Sequence, residues 1–276
     1  MNNTSITDKI IGVISPLVVY IFVNLFVQAG FAAYLSVSQF GAIDGNFYNA
    51  SENFMENMQQ AVSENTLTVT FLAVLVNLPF MFYMYKKQCG ILKYKGSRKD
   101  WYIPVLIGIF ASLGISKFVT LLPVDGILGN YEELSSNIMK ANIPLQIITL
   151  VIIGPIMEEL MFRGVIYNRL KSFNEEKIAM YITALMFGIY HFNLVQGLYT
   201  FVLSLLLTYV LEKYNTIIAP MVVHIVANGM AVVTNYSSIS DTINSHWYLK
   251  ILFMIIEMAG LVFVVYKSTK KKLLCE

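Results

Sequence analysis

Eight stretches of this 276-residue chain are apolar over lengths close to the thickness of a bilayer, and nothing else in the sequence restricts its fold as much. They run over about 10 to 35, 66 to 85, 101 to 123, 143 to 168, 177 to 194, 196 to 212, 217 to 236 and 247 to 267. A helix of about 20 apolar residues crosses roughly 30 Å of hydrocarbon, where every backbone polar group must find its partner inside the protein. With 57% hydrophobic and 13% charged residues, the chain has too few charges to coat a water-soluble globule. The expected fold is therefore all-α, a polytopic transmembrane helical bundle of about eight spans. No tandem repeat or Pro/Gly-rich linker divides it, so residues 1–276 read as a single integral-membrane domain.

The connections carry an orientation signal. Lys86, Lys87, Lys93, Lys95, Arg98 and Lys99 crowd the second connection, whereas the first, 36–65, has several acids and no Lys or Arg. Positive loops stay in the cytoplasm. That rule places Arg169, Lys171, Lys177, Lys213 and the 267–272 lysines on the same side and, with an even number of spans, both termini in the cytoplasm. The first apolar run is too long for the core of a cleavable signal peptide. The net charge of +2 is spread over these loops, which argues for topology and against a nucleic-acid surface. Cys89 and Cys275 fall on the cytoplasmic side without a CxxC partner and suggest neither a disulfide nor a metal site. In the first connection Phe54, Met58, Ala61 and Val62 recur at helical spacing, which suits either a short interfacial helix or an acidic loop.

Polar residues inside apolar spans are costly and mark function more often than decoration. Glu158 and Glu159 interrupt the fourth span with Arg163 one turn later, Phe187 and His191 lie four apart in the fifth, and His224 and Asn228 four apart in the seventh. Four residues is the spacing that stacks side chains on one helix face. Counting from the turn near Phe173, Glu158 lies 15 residues back and His191 lies 18 forward, so at 1.5 Å per residue their heights differ by about 5 Å. His224 fits less well, at roughly 13 Å above the turn near Asn215 against roughly 22 Å for Glu158. Its meeting the others requires a recessed turn or tilted helices. Singly, each group can serve as an ion pair or as interhelical glue; together, at nearly matched depths, they read as a site. Glu257, mid-span in the last helix, and Lys117, in the outer half of the third, are expected to form a structural bridge, and His246 to be a solvated or interfacial loop residue.

The three motifs, EELMFRG at 158–164 (EExxxR), FGIYH at 187–191 (FxxxH) and HIVAN at 224–228 (HxxxN), resemble in order and spacing those of the CPBP family of intramembrane glutamic endopeptidases, the CAAX protease, abortive-infection and bacteriocin-processing group. The resemblance covers the motif-bearing core, about 143–236. It implies that Glu158 is the general base and that His191 helps to hold and deprotonate a water. It also implies that His224 and Asn228 donate hydrogen bonds to the oxyanion, with no metal and no cofactor. Glu159 points about 100° away from Glu158 on a helix, so the Glu159–Arg163 pair is expected to orient the site. Phe187 is expected to pack against the site, or simply to be a core or lipid-facing aromatic.

The function expected is an intramembrane endopeptidase acting on membrane-associated peptides or proteins in the bilayer, with no nucleic acid partner. The abundance of Ile, Lys and Asn suits an AT-rich bacterial genome and hence a bacterial cell membrane. A zinc-dependent endopeptidase would take His191, His224 and the glutamates as ligands, but no span carries an HExxH helix. A transporter would show inverted repeats and matching broken helices. A non-catalytic scaffold or immunity protein would not need every motif residue intact.

Overall fold

The computed structural model describes residues 5–40, 60–89, 100–119, 137–237, 242–243 and 245–270. Among them are eight long helices and no strand, in line with the all-α membrane bundle expected. They are α1 (Ile6–Phe40), α2 (Thr66–Cys89), α3 (Tyr102–Val119), α4 (Ile143–Lys171), α5 (Glu176–Tyr190), α6 (Leu194–Tyr214), α7 (Ile218–Asn235) and α8 (Trp247–Lys270). Among the described residues, α1, α2, α4, α6, α7 and α8 are each long and apolar enough to cross a membrane on their own. The chain is an integral, multi-pass membrane protein. The eight helices agree with a count of about eight spans, of which six qualify among the described residues, and α5, at 15 residues, is the shortest. Outward faces carry residues such as Phe22, Phe26, Val262 and Phe263, all more than half exposed, as suits contact with lipid.

Two buried clusters make up the interior. One joins α1, α2, α4 and α5 through Val13, Met81, Tyr85, Met161, Phe162 and Phe187. The other joins α3, α6, α7 and α8 through Ile107, Leu207, Ala219, Val223 and Leu261. The helices α4 and α7 come together where the clusters meet, and so bring the first and third motifs face to face.

The cationic helix ends gather on one side of the bundle. Arg169 at the end of α4 donates to Gln88 at the end of α2 at 2.9 Å, Lys213 at the end of α6 reaches the Ser268 carbonyl of α8, and Tyr214 donates to the Asp100 carbonyl before α3. At the opposite side Gln146 of α4 donates to Tyr236 after α7. The loop residues 90–99, the Phe54 and Met58 pattern, Lys271, Lys272 and Cys275 lie outside the described residues; Ala61 and Val62 fall in a short helical segment before α2.

Two local features set the height of the site. α5 ends at Tyr190, so His191 is its C-cap instead of a residue within a longer helix, and Phe192 takes a left-handed φ of 51° as the chain turns into α6. Where α5 and α6 cross, Gly188 and Gly197 lie backbone to backbone: a Cβ on Gly188 would sit 2.8 Å from the Gly197 carbonyl oxygen. The turn from α6 to α7 passes through Asn215 at φ 49°, flanked by Tyr214, Thr216 and Ile217, all buried. His224 nevertheless meets the glutamate pair, so the depth mismatch anticipated for it does not keep them apart.

Candidate active site

The glutamate pair is divided by helix geometry. Both residues end a short α-helical stretch, Gly154–Glu159, set between two π-helical ones, Ile147–Ile153 and Leu160–Tyr167. Glu159 is fully buried, while the Glu158 side chain keeps 17% of its surface open. One carboxylate is enclosed in the protein and the other is partly exposed.

Glu159 is the hub of a buried polar chain. Its Oε1 accepts from Arg163 Nη1 at 3.1 Å and from His224 Nδ1 at 2.8 Å. Arg163 reaches on to α6, where its Nη2 donates to the Ser204 hydroxyl at 2.7 Å and the Ser204 carbonyl at 3.1 Å. Its guanidinium carbon also lies 4.8 Å from the centre of the Phe187 ring, a cation–π contact. The expected Glu159–Arg163 pair is present and extends further, because it also takes hold of His224.

These contacts define the histidine tautomers. A carboxylate paired with arginine accepts, so His224 Nδ1 donates to Glu159 and Nε2 turns toward Glu158 Oε2, 3.6 Å away. A carbonyl can only accept, so His191 Nδ1 donates to the Phe187 oxygen at 2.7 Å. In the neutral ring, Nε2 of His191 then carries the lone pair, ready to take a proton from water. The FxxxH spacing thus has a backbone purpose. Phe187 itself is fully buried, which removes the lipid-facing alternative, and its ring meets His191 and His224 edge-on at 4.9 and 5.9 Å between centroids.

Glu158 and His191 share no hydrogen bond or ion pair among the described residues. Tyr190, which precedes His191 in the chain, meets the His191 ring edge-on at 5.2 Å between centroids. The Tyr20 and Tyr190 rings lie 4.8 Å apart. Asn228 stands on α7 one turn beyond His224, and its Nδ2 donates to the Leu150 carbonyl of α4 at 2.8 Å. His246, as expected, is far from these groups in the chain and exposed, near Thr242 and Ser245.

Tyr190, Tyr20, Ser204 and the Leu150 carbonyl escaped the reading of the sequence. Tyr190 had a signal in its place beside a motif histidine. Ser204, a lone hydroxyl in LSLLLT, had none, since such residues commonly bond their own helix.

Residues 140–230 match the family model described as type II CAAX prenyl endopeptidase Rce1-like. This segment belongs to the CPBP family. The CPBP segment spans α4 to most of α7 and contains all three motifs. A protein of Bacillus subtilis (strain 168) named "Putative membrane peptidase YdiL" is 27% identical over 139 residues, which cover 46% of this chain and 57% of that protein. The match therefore spans little more than half of the relative's length. No solved structure matches the chain.

Proposed function

We propose that this CPBP-family protein is an intramembrane endopeptidase that hydrolyses peptide bonds of membrane-associated peptides or proteins with a water activated by Glu158 and His191. The observation that carries the reading is the convergence of three separate helices on one carboxylate pair: His224 bonds Glu159 and faces Glu158, while Phe187 joins both histidines. Glu158 takes a proton from water as its oxygen attacks the scissile carbonyl, and the proton passes to the departing amine. His191, with Nδ1 held by the Phe187 carbonyl, keeps Nε2 available to hold that water. His224 and Asn228 stabilise the tetrahedral oxyanion, His224 fixed by Glu159 and Glu159 by Arg163 and Ser204.

The metal-free form of the reading is supported by the lack of an HExxH helix in the sequence. Every motif residue is intact, which favours an active enzyme over a scaffold. The matched family's name makes prenylated peptides with a C-terminal CAAX sequence the first substrates to assay. We further propose that the chain is a single domain in a bacterial cell membrane with both termini cytoplasmic; the cationic helix ends gathered on one side favour that orientation. Labelling by an impermeant thiol reagent in intact cells tests this: Asp44→Cys should react and Lys93→Cys should not.

Proteomics of peptide termini released in membranes tests the activity. New termini are expected with the wild-type protein and not with Glu158→Ala. Identical termini in both would overturn the proposal.

A further inference from the structure

The register of α4 changes one turn before the glutamate pair, and two residues account for it. Between Ile147 and Ile153 the helix is wound in π fashion, and the Gly154 N–H closes that stretch by reaching five residues back to the Thr149 carbonyl. In an α-helix the same N–H would go to Leu150. The next donor able to serve Leu150 in π register is residue 155, which is proline and has no N–H. The Leu150 carbonyl is thus left without a helix partner inside an apolar bundle, where an unpaired carbonyl is costly. Asn228 Nδ2 fills it from α7 at 2.8 Å. Gly154 is required for the same register, because a Cβ there would lie 2.6 Å from the Thr149 carbonyl oxygen.

We propose that Gly154 and Pro155 are positioning residues for Asn228: by withholding both backbone donors from Leu150, they keep its carbonyl as a fixed acceptor that aims the Asn228 amide. A primary amide carries two N–H bonds in one plane, so anchoring one sets the direction of the other. A carbonyl cannot accept from Oδ1, so the contact also selects which end of the amide faces it. Oxyanion donors are effective because they are oriented before charge develops. The π-turn supplies that orientation to a side chain on another helix. The inference rests on Asn228 acting at the oxyanion, and the test below separates the two.

Pro155→Ala restores a backbone donor, which captures Leu150 and releases Asn228. With purified full-length protein in detergent and a fluorogenic prenylated CAAX peptide as probe, Pro155→Ala should lower kcat about tenfold with KM within about twofold. Asn228→Ala should cost about 10² in kcat, and the double variant should lose nothing beyond it. Removing a proline from a helix interior should by itself raise the melting temperature or leave it unchanged, so a drop in kcat without a drop in Tm marks positioning instead of damage. Thermal unfolding gives a second cycle that needs no substrate. Asn228→Ala should lower Tm in the wild-type background, where it orphans the Leu150 carbonyl, and by less than half as much in Pro155→Ala. If the wild type leaves the probe uncut while this thermal coupling is present, the lock stands and the protease reading falls. If the wild type cleaves but the effects of Pro155→Ala and Asn228→Ala are additive in both kcat and Tm, the lock is wrong and the protease reading stands.

Discussion

Among the described residues, two pairs of fully charged groups are largely buried in the interior, and they are built differently. Lys117 of α3 and Glu257 of α8 meet at 2.6 Å across two helices, with the lysine ammonium also 5.8 Å from the Phe253 ring. Glu159 and Arg163 lie one turn apart on α4, fully buried, and their contacts run on through His224 in one direction and Ser204 in the other. The first pair ties α3 to α8, as the sequence led us to expect. The second ends at a partly open carboxylate, Glu158, and orients a histidine toward it. A charge in the bilayer is informative less for being buried than for what its bonds hold in place.

The sharpest way to break this contrast is activity. Glu158→Gln is expected to reduce kcat on a prenylated CAAX peptide by about 10² or more while the protein remains folded and inserted. Replacing the Lys117–Glu257 pair, Lys117→Met with Glu257→Met, is expected to leave kcat within about twofold, since a buried pair exchanged for apolar groups is often neutral. Equal losses would show that the Lys117–Glu257 pair matters to turnover as much as Glu158 does.

Stability comes next. Glu159→Ala strips a fully buried guanidinium of its carboxylate, and the expected cost is about 3–5 kcal/mol. Denaturant unfolding in detergent should read this as a clear loss, whereas the Met/Met replacement of the 117–257 pair should shift it by less than half as much. A smaller effect is expected at the end of the chain of contacts. Ser204→Ala removes one hydrogen bond to a charged group, worth about 1.5–3 kcal/mol at most, and the Ser204 carbonyl still accepts from Arg163. A kcat reduced several-fold with KM unchanged would show that the hydroxyl steadies Arg163 for catalysis; an unchanged kcat would confine it to packing.

The smallest effect concerns metal. Exhaustive chelation is expected to leave turnover unaltered, and elemental analysis of active protein to give well under one zinc per chain. Activity that disappears with chelator and returns with Zn²⁺ would turn Glu158, His191 and His224 into ligands.

Hydropathy was enough to locate all eight helices, because a long apolar run in a lipid environment has few alternatives. Spacing was enough to pair Glu159 with Arg163, one turn apart on one helix. The height estimate set His224 well below Glu158, whereas its Nε2 lies 3.6 Å from the Glu158 carboxylate. The Glu159–His224 bond could not be read, since spacing within one helix says nothing about which side chain of another helix it meets. The Leu150–Asn228 contact was hidden for a subtler reason. Hydropathy does not report helix register, and the Gly154–Pro155 dipeptide gains its meaning only once the π-turn is visible. Ser204 and Tyr190 contribute through contacts 41 residues away and across α1 respectively, which no local pattern encodes.

The crossing at Gly188 and Gly197 bears on how the protein is made. At 15 residues α5 rises about 22 Å, well short of the roughly 30 Å a bilayer presents. A translocating machinery that samples one segment at a time would find it a poor stop. Its natural companion is α6, whose backbone can close against it only because neither glycine has a side chain. The pair is therefore suited to enter the membrane as a preassembled hairpin with His191 at its tip. Bulk at either glycine would damage the enzyme at biogenesis, before any substrate is met.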